Sequence, residues 1–298
     1  MDGFGNRDGK IWLDGDLVNW QDAKVHILSH AMHYASSVFE GERAYCGVVF
    51  KSREHAIRLI KSCSLLEMDL SFSLDDIEQA KQDVIQGNSL EDCYLRTIVW
   101  RGVGKNMGVS APQNPIHMAI CAWRMGEYFP SKKNGASLDI SKWRRPDPLS
   151  FPPQAKASAL YATATLAKHA AERQEFSGAL MMDYRGYIAE ATGANIFFAK
   201  DGEVHTPIAK TFLNGITRQT VIALLSQQGI HVIERDIRPE ELPTFDECWL
   251  TGTAAEITPV IQIGHDYFYE PKTMTNTVTD LYSDAVQGPK VERNAMYS

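Results

Sequence analysis

A linker-like segment near the middle of the chain restricts its possible folds. Residues 124–135 mix glycine, proline, serine, lysine and asparagine, which interrupt regular structure rather than extend it. Strand and helix signals occur on both sides of this segment, and 298 residues are too many for one small core. We therefore predict two α+β domains, at residues 1–125 and 136–298, joined by a linker at 126–135.

Local patterns in the first half predict a mixture of strands and one long helix. Strand-forming residues flank Asp14-Gly15, which predicts a β-hairpin over residues 11–18. Apolar residues near helical spacing predict a helix over 53–66. Runs of β-branched, aromatic and apolar residues predict strands over 94–100 and 117–123.

The second half alternates in the same way, with different lengths. A helix is predicted over 217–228, because Gly229 suits the residue that follows a helix end. Strands are predicted over four short runs, at 179–182, 187–189, 195–199 and 231–237.

Composition and charge exclude several classes of function. The net charge is -7 and the isoelectric point is near 5.7, so we expect no nucleic-acid partner. Apolar runs fall short of the roughly 20 residues that span a bilayer, and residues 1–6 lack the features of a signal peptide. The five cysteines are scattered and lack metal-ligand spacing, which is typical of a reducing compartment. We expect a cytoplasmic protein without a membrane partner.

Lys156 is the first candidate catalytic residue. Pro152 and Pro153 precede it and disfavour a helix, whereas the alanine-rich run after it favours one. Lys156 is therefore predicted near a strand-to-helix turn, where its amine can be withdrawn from water for Schiff-base chemistry. On this context alone, a solvated surface lysine remains the more common outcome for such a residue.

Two short segments could hold an anion such as phosphate. Residues 214–218, NGITR, stand at the start of a predicted helix, where backbone N–H groups and the helix dipole attract negative charge. Residues 251–255, TGTAA, are small enough for a ligand to approach the backbone. Each could equally be a capped helix or a tight turn, and neither has the pattern of a triphosphate-binding loop.

Three histidines form the best candidate metal site. His26, His30 and His33 are spaced four and three residues apart, so on a helix they would share one face. No well-placed fourth ligand accompanies them, and such histidines more often serve packing and hydrogen bonding. We therefore predict no metal, and keep a histidine-based metal hydrolase as a rival hypothesis.

Together these segments resemble the branched-chain amino acid aminotransferases, which are fold-type IV pyridoxal-phosphate enzymes. The resemblance runs in order from about residue 11 to residue 282. The matching segments are SHAMHYASSVFEG at 29–41, REH at 53–55, RL at 58–59, YLR at 94–96, Lys156 with Tyr161, EATGAN at 190–195, GITR at 215–218 and TGTAAE at 251–256. The resemblance implies the two-domain α+β architecture of fold-type IV enzymes, with the larger C-terminal domain carrying Lys156.

The resemblance also implies a cofactor, pyridoxal 5'-phosphate, and a role for each matching residue. Lys156 would bind the cofactor as a Schiff base and then shuttle a proton to and from the substrate. Glu190 would keep the pyridine nitrogen protonated, and Tyr161 would donate a hydrogen bond to the phenolic oxygen. The cofactor phosphate would be held by Arg58, Ile216, Thr217 and Thr253.

Substrate residues follow from the same resemblance. The walls around the substrate side chain would be Phe39, Gly41, Tyr128 and Tyr161. The α-carboxylate would be held by Tyr94 and the backbone of Thr253 and Ala254. A second substrate carboxylate would pair with Arg96, assisted by Tyr34 of a neighbouring subunit. This sequence departs from many relatives at Glu42, where they carry an aliphatic residue, and also near Met125 and at residues 158–160.

The implied reaction is reversible amino transfer between leucine, isoleucine or valine and 2-oxoglutarate, by a ping-pong route. A homodimer or a larger assembly of dimers is expected. Within the same fold, a D-amino-acid aminotransferase or an aminodeoxychorismate lyase remains the alternative. Residues 39–41 and 94–96 favour the branched-chain enzymes.

Overall fold

The computed structural model describes residues 3–125 and 135–287, which form two compact units. The first contains the described residues up to 125 together with Ala155–Leu160, and the second contains the rest. Each unit combines helices with one β-sheet, so the predicted α+β class is confirmed. The predicted linker at 126–135 lies almost entirely outside the described residues.

Lys156 groups with the first unit, which differs from the predicted placement in the C-terminal domain. The physical reason is a short stretch of strand-like pairing. The Phe39 amide donates a hydrogen bond to the Lys156 carbonyl at 3.0 Å, and Val38 pairs with Ala157 in an antiparallel bridge. The segment after the two prolines therefore extends the edge of the first sheet.

The first unit contains three helices and six strands. The helices are α1 (His30–Tyr34), α2 (Ser52–Leu65) and α3 (Leu74–Gly87). The strands are β1 (Lys10–Leu13), β2 (Asp16–Asn19), β3 (Ser37–Tyr45), β4 (Val48–Val49), β5 (Cys93–Arg101) and β6 (Ile116–Trp123). Three 3-10 turns accompany them, at Phe4–Asn6, Trp20–Asp22 and Ser158–Leu160. The strands form one sheet in the order β2-β1-β6-β5-β3-β4, antiparallel throughout.

Helices α2 and α3 cover one face of this sheet. Their contacts include α2 with β3 and α3 with β1 and β6. Alternate residues of a strand point to one face, and Leu95 and Val99 of β5 contribute fully buried side chains to this core. Helix α3 begins with a capping box, in which the Ser73 hydroxyl accepts a hydrogen bond from the Asp76 amide and the Asp76 carboxylate accepts one from the Ser73 amide.

The second unit contains three further helices and nine strands. The helices are α4 (Tyr161–Glu172), α5 (Ile216–Gln227) and α6 (Thr273–Gln287), and a 3-10 helix covers Pro239–Thr244. The strands are β7 (Ala136–Ile140), β8 (Gly178–Met182), β9 (Ile188–Ala191), β10 (Asn195–Lys200), β11 (Glu203–Pro207), β12 (Val232–Arg235), β13 (Glu247–Gly252), β14 (Glu256–Ile263) and β15 (Tyr267–Phe268).

The second sheet is mixed, in the order β12-β11-β10-β13-β14-β7-β8-β9, with β15 paired to β14. Its central strands β10 and β13 are buried along almost their whole length, as expected when both faces of a sheet are covered. Helix α4 packs on β8 and β7, whereas α5 and α6 pack on each other and on β13. None of the helices in the described part of the chain is long and apolar enough to cross a membrane.

Candidate active site

Lys156 is held by its backbone and by an aromatic ring. Its amide N–H donates to the Ser62 hydroxyl of α2 at 3.0 Å, and its carbonyl accepts from Phe39. Its Nζ lies 4.8 Å from the centroid of the Phe39 ring, a cation–π contact. As predicted, the chain turns into a 3-10 turn and then a helix directly after Lys156. The amine thus lies against an aromatic ring, at the end of a half-buried side chain.

Arg96 also contacts the Phe39 ring. Its Cζ atom is 4.7 Å from the Phe39 centroid and 5.6 Å from the Tyr94 centroid, and its Nη2 donates to the Tyr94 hydroxyl at 3.3 Å. The Arg96 Nε is buried and has no hydrogen-bond partner among the described residues. The Phe39 ring therefore contacts both the Lys156 amine and the Arg96 guanidinium.

A glycine is needed at position 41 because of the side chains on the neighbouring strand β5. It lies opposite Arg96 in the β3–β5 register, and a Cβ atom there would overlap the Tyr94 hydroxyl. Any larger residue would displace the hydroxyl that accepts the Arg96 hydrogen bond. The sequence predicted Gly41 as a pocket wall, and its local role is to admit Tyr94.

Arg58 belongs to a buried network that the sequence did not predict. Its Nε and Nη2 donate to the two Glu40 oxygens at 2.7 Å and 2.8 Å, a bidentate pair. The His55 Nδ1 lies 2.7 Å from Glu40 Oε2. Burial raises the Glu40 pKa, but the charges and hydrogen bonds of Arg58 and His55 outweigh it and hold the pKa well below its ordinary value. An ionised Glu40 therefore fixes the plane of the Arg58 guanidinium.

Glu190, on β9 in the second unit, is likewise held by two partners. Its Oε1 lies 3.2 Å from the Nε of Arg145, and its Oε2 accepts a hydrogen bond from the Asn195 amide at 3.3 Å. The side chains of Glu190 and Arg145 are 12% and 6% exposed. A nearby guanidinium favours the ionised form of a carboxyl group, which suits a residue expected to hold a proton on a ligand.

Asn195 links Glu190 to the predicted phosphate cradle. Its Oδ1 accepts from the Gly215 amide at 3.1 Å, and its amide donates to the Leu213 carbonyl at 3.1 Å. Gly215 is the N-cap of α5, and a Cβ atom there would overlap the Asn195 oxygen. The glycine therefore allows the close approach that orients the first turn of α5, whose N–H groups attract an anion.

The second predicted cradle is a tight turn. Thr253 and Ala254 connect β13 to β14, whose last pair is Gly252 and Glu256. Thr251, just before this turn, has a buried hydroxyl without a hydrogen-bond partner among the described residues. Asn195 lies opposite Thr251 in the β10–β13 register, so this turn and the start of α5 are connected within one unit. Such unpartnered donors suit a polar ligand.

The three histidines do not form a metal site. Helix α1 begins at His30, so His26 does not share a helical face with the others. His30 binds the Ser36 hydroxyl and the Val109 carbonyl, at 2.7 Å and 3.0 Å, and His33 binds the Ile27 carbonyl at 3.0 Å. Among the described residues, no group of three potential ligands could hold a metal ion. These histidines brace the surface around α1.

The structure brings the predicted residues together in two sets. In the first unit, Lys156 contacts Phe39, Phe39 contacts Arg96, and Arg96 lies against Tyr94 and opposite Gly41. In the second unit, Glu190 connects through Asn195 to the cradle of Ile216 and Thr217. Tyr161 is the first residue of α4 in that unit. Tyr128 lies outside the described residues. Sequence reasoning missed Glu40, His55, Arg145 and Asn195.

Comparisons with known proteins agree with this arrangement. The model of the family "Amino-transferase class IV" matches residues 37–263. The "Probable branched-chain-amino-acid aminotransferase" of Rickettsia felis is 41% identical over 253 residues, which are 85% of this chain and 86% of that protein. The crystal structure of the Escherichia coli branched-chain amino acid aminotransferase has a TM-score of 0.88 at 36% identity, and covers 92% of this chain and 93% of its own.

A second solved structure contains the cofactor. It is the branched-chain amino acid aminotransferase from Thermobaculum terrenum in its PLP form, the holo form. Its TM-score is 0.86 at 30% identity, with 96% of this chain and 97% of that chain covered.

Proposed function

Because this chain belongs to the class IV amino-transferase family, we propose that it is a pyridoxal-phosphate-dependent branched-chain-amino-acid aminotransferase. It transfers the amino group reversibly between L-leucine, L-isoleucine or L-valine and 2-oxoglutarate. One observation is the main support for this proposal. Lys156 Nζ lies 4.8 Å from the centroid of the Phe39 ring, and Arg96 Cζ lies 4.7 Å from the same centroid. A reactive amine thus lies beside both an apolar wall and a cation, which together suit an aliphatic and an acidic side chain.

Taken separately, each unit has donor groups that suit a phosphate. Each unit offers a phosphate donor set: Arg58, oriented by Glu40, in the first and the α5 N-terminus with Thr217 and Thr253 in the second. When bound, the cofactor supplies an aldehyde that reacts with amines and a protonated ring that withdraws electrons from the substrate Cα. Arg58, Ile216, Thr217 and Thr253 are proposed to hold its phosphate.

Lys156 is the proposed catalytic residue. Its Nζ would take the proton from the Cα of the amino acid in the first half-reaction, and in the second half-reaction would deliver a proton to the former carbonyl carbon of the keto acid, which becomes the new Cα. Its backbone is fixed on both sides, by Ser62 and by Phe39, so the side chain alone moves during this transfer. The Phe39 ring excludes water from the amine while the proton is on Nζ.

Glu190 is proposed to keep a proton on the pyridine nitrogen. Arg145 and Asn195 contact the two oxygens of its carboxylate and so orient it for this role. Tyr161 is proposed to donate a hydrogen bond to the phenolic oxygen of the cofactor. These two groups would influence the charge on the ring nitrogen and on the phenolic oxygen, so both would influence how readily the Cα proton leaves.

The substrate is proposed to lie against Phe39, Gly41 and Tyr128, with its α-carboxylate at Tyr94 and the backbone of Thr253 and Ala254. Arg96 then receives the second carboxylate of glutamate or 2-oxoglutarate. Burying a carboxylate without a partner is costly, whereas leucine requires only the apolar surface of the ring. The buried Arg96 Nε supports this role, because a carboxylate can satisfy it.

A dimer of this chain is supported by an exposed apolar face. It is formed by Ile27, Leu28, Met32 and Val109, which are 45–75% exposed. The His30 bond to the Val109 carbonyl draws the two segments together, and Tyr34 donates to the Met107 carbonyl at 2.7 Å. Clustered apolar side chains of this kind mark protein interfaces. We infer that a second copy covers this face and that Tyr34 contributes to the partner's substrate pocket.

A Met32→Glu variant tests the dimer. We expect it to sediment as a monomer, because a carboxylate at the centre of the apolar face opposes burial there. Sedimentation identical to the unaltered chain would exclude this face as the interface.

The five unpaired cysteines are consistent with the cytoplasmic location that we propose.

The proposed reaction is tested by its first half. The holoenzyme absorption spectrum should change on addition of L-leucine, as the amino group is transferred, and should stay unchanged with D-alanine. A Lys156→Ala variant should not turn over, and borohydride reduction followed by peptide mapping should label Lys156 in the unaltered chain. A response to D-alanine instead of L-leucine would favour the D-amino-acid aminotransferase alternative, and labelling at Lys168 would refute the lysine assignment.

A further inference from the structure

Two carboxylates lie side by side in the core of the first unit. Glu40 and Glu42 are both fully buried, and as alternate residues of β3 they project from the same face. Glu40 is paired with Arg58 and His55 of α2. Glu42 is paired with a different cation, Lys81 of α3.

The Glu42–Lys81 pair is inaccessible to solvent. Lys81 Nζ lies 2.7 Å from Glu42 Oε2, and both side chains are 1% exposed. The Thr97 hydroxyl of β5 donates a long hydrogen bond of 3.4 Å to the other Glu42 oxygen. A buried ion pair seldom stabilises a fold more than an apolar pair of similar volume. Stability alone therefore does not account for a charge pair at this place.

Lys81 also holds the beginning of α2. Its Nζ donates to the carbonyl and hydroxyl of Ser52, at 2.9 Å and 3.2 Å. Ser52 is the first residue of α2, the helix that presents His55, Arg58 and Ser62 on one side. Lys81 therefore connects Glu42 with the helix that carries the guanidinium and the Lys156 backbone contact.

We propose that Lys81 is a positioning residue for Arg58: by neutralising Glu42, it reserves the cations of α2 for Glu40 and keeps Arg58 oriented for the cofactor phosphate. The inference rests on the proposed role of Arg58 in binding that phosphate. Lys81 lies on α3 and contacts Glu42, Ser52 and Glu78. It would therefore contribute to cofactor binding from a helix outside the phosphate site.

Charge balance supports the proposal. Each of the two buried carboxylates has its own cation, Arg58 for Glu40 and Lys81 for Glu42, and His55 also lies beside Glu40. Burial raises the Glu42 pKa above its ordinary value, with Lys81 and His55 opposing the rise and Glu40 adding to it. Without Lys81, the basic side chain that remains to act on Glu42 is His55, which is also a partner of Glu40. The charged and polar groups that face this pair come from four elements: Glu40 of β3, Ser52 and His55 of α2, Glu78 of α3, and Thr97 of β5.

Removal of the Lys81 charge should therefore weaken cofactor binding in a pH-dependent way. In Lys81→Met at low pH, Glu42 is protonated and uncharged, so it does not compete with Glu40. Loss of Lys81 raises the Glu42 pKa further, and as the pH rises through it Glu42 ionises and competes with Glu40 for His55, which shares the Glu40 carboxylate with Arg58. Affinity for pyridoxal phosphate should fall with rising pH, by roughly 10- to 100-fold, as when outer partners of metal ligands are removed. The unaltered chain should show this dependence less strongly, because Lys81 opposes the rise of the Glu42 pKa and pairs with the carboxylate once it is ionised.

The experiment is a titration of cofactor-free protein with pyridoxal phosphate between about pH 6 and pH 9, followed by absorbance. The variants are Lys81→Met, the double variant Glu42→Leu/Lys81→Met, and Arg58→Gln as a reference. Lys51→Met serves as the matched control, because Lys51 is a 41% exposed lysine at the N-cap of the same helix, paired with Glu54. The double variant has no carboxylate at position 42 that needs a cation, so its affinity for pyridoxal phosphate should return to that of the unaltered chain.

The outcomes separate the inference from the proposed function. If Lys81→Met binds the cofactor like Lys51→Met at every pH, the positioning role is wrong. If the double variant stays as weak as Lys81→Met, Lys81 acts through Ser52 and the Glu42 argument is refuted. If Arg58→Gln binds normally, the phosphate assignment itself fails. Should Lys81→Met not fold, Lys81→Gln removes the charge while keeping a donor for Ser52, and the same expectations apply.

Discussion

An Arg96→Gln substitution should separate the two substrate classes of this enzyme. Arg96 contacts the rings of Phe39 and Tyr94 and donates to the Tyr94 hydroxyl. Glutamine keeps a donor at the same place but removes the charge. Leucine depends on the ring surface, whereas glutamate depends on the charge.

The expected magnitude follows from what each substrate would lose. A buried carboxylate deprived of its cation costs ~2–5 kcal/mol, or roughly 30-fold to several thousand-fold in affinity. Leucine loses only the packing supported by the cation–π contact with Phe39, which is worth about 0.5–2 kcal/mol. Its rate should therefore fall by less than about 30-fold. In Arg96→Gln, the reaction with glutamate should therefore be weakened more than the reaction with leucine.

The assay is a single-turnover conversion of the holoenzyme with each amino acid, observed by its absorbance. Arg53→Gln is the control, because Arg53 is a 62% exposed arginine that meets Asp75 at 3.6 Å on the surface. It should react with both substrates like the unaltered chain. Equal losses for leucine and glutamate in Arg96→Gln would refute the dual role and leave Arg96 as a brace of β5.

Two further substitutions test the carboxylates. Glu190→Gln should leave the cofactor bound but slow Cα proton removal in the leucine half-reaction measured by stopped flow, because an amide cannot keep the pyridine nitrogen charged; an unchanged rate would make Glu190 structural. Glu40→Gln should lower the free energy of unfolding by ~3–5 kcal/mol in urea, because Arg58 and His55 lose a buried partner. Although burial opposes it, Arg58 and His55 depress the Glu40 pKa below its ordinary 4.5. The stabilisation by Glu40 is therefore present above about pH 4.5 and lost as the pH falls further. The unaltered chain should lose more stability on acidification than Glu40→Gln, and parallel losses would contradict this.

The residues with a local signal were predictable from the sequence. Lys156 stands after two prolines and before alanines, and the Gly215 turn precedes a helix with apolar periodicity, so both positions follow from backbone preferences. The predicted helix over 53–66 corresponds to α2, and the predicted strands over 94–100 and 117–123 correspond to β5 and β6. In each, the pattern of apolar residues is strong over a whole element.

The buried polar contacts could not be predicted in the same way. Glu40 and Arg58 are 18 residues apart and meet only because α2 folds back on β3. Arg145 and Glu190 likewise lie in separate segments. The placement of Lys156 in the first unit depends on pairing with β3, which no local pattern encodes. Helix α3 did carry a signal that was missed, since Ser73 and Asp76 have the spacing of a capping box.

Successive residues of β3 point to opposite faces of the sheet, so its even and odd positions contact different groups. Glu40 and Glu42 point to the helices that orient the phosphate arginine, whereas Phe39 and Gly41 point to Lys156, Tyr94 and Arg96. Mutations that retune substrate choice can therefore accumulate at odd positions without weakening the hold on the cofactor. For directed evolution, a library restricted to the odd positions other than Gly41 should yield altered specificity with few inactive members, since a Cβ atom at Gly41 would overlap the Tyr94 hydroxyl. Randomising both parities together would mostly return proteins that cannot retain their cofactor.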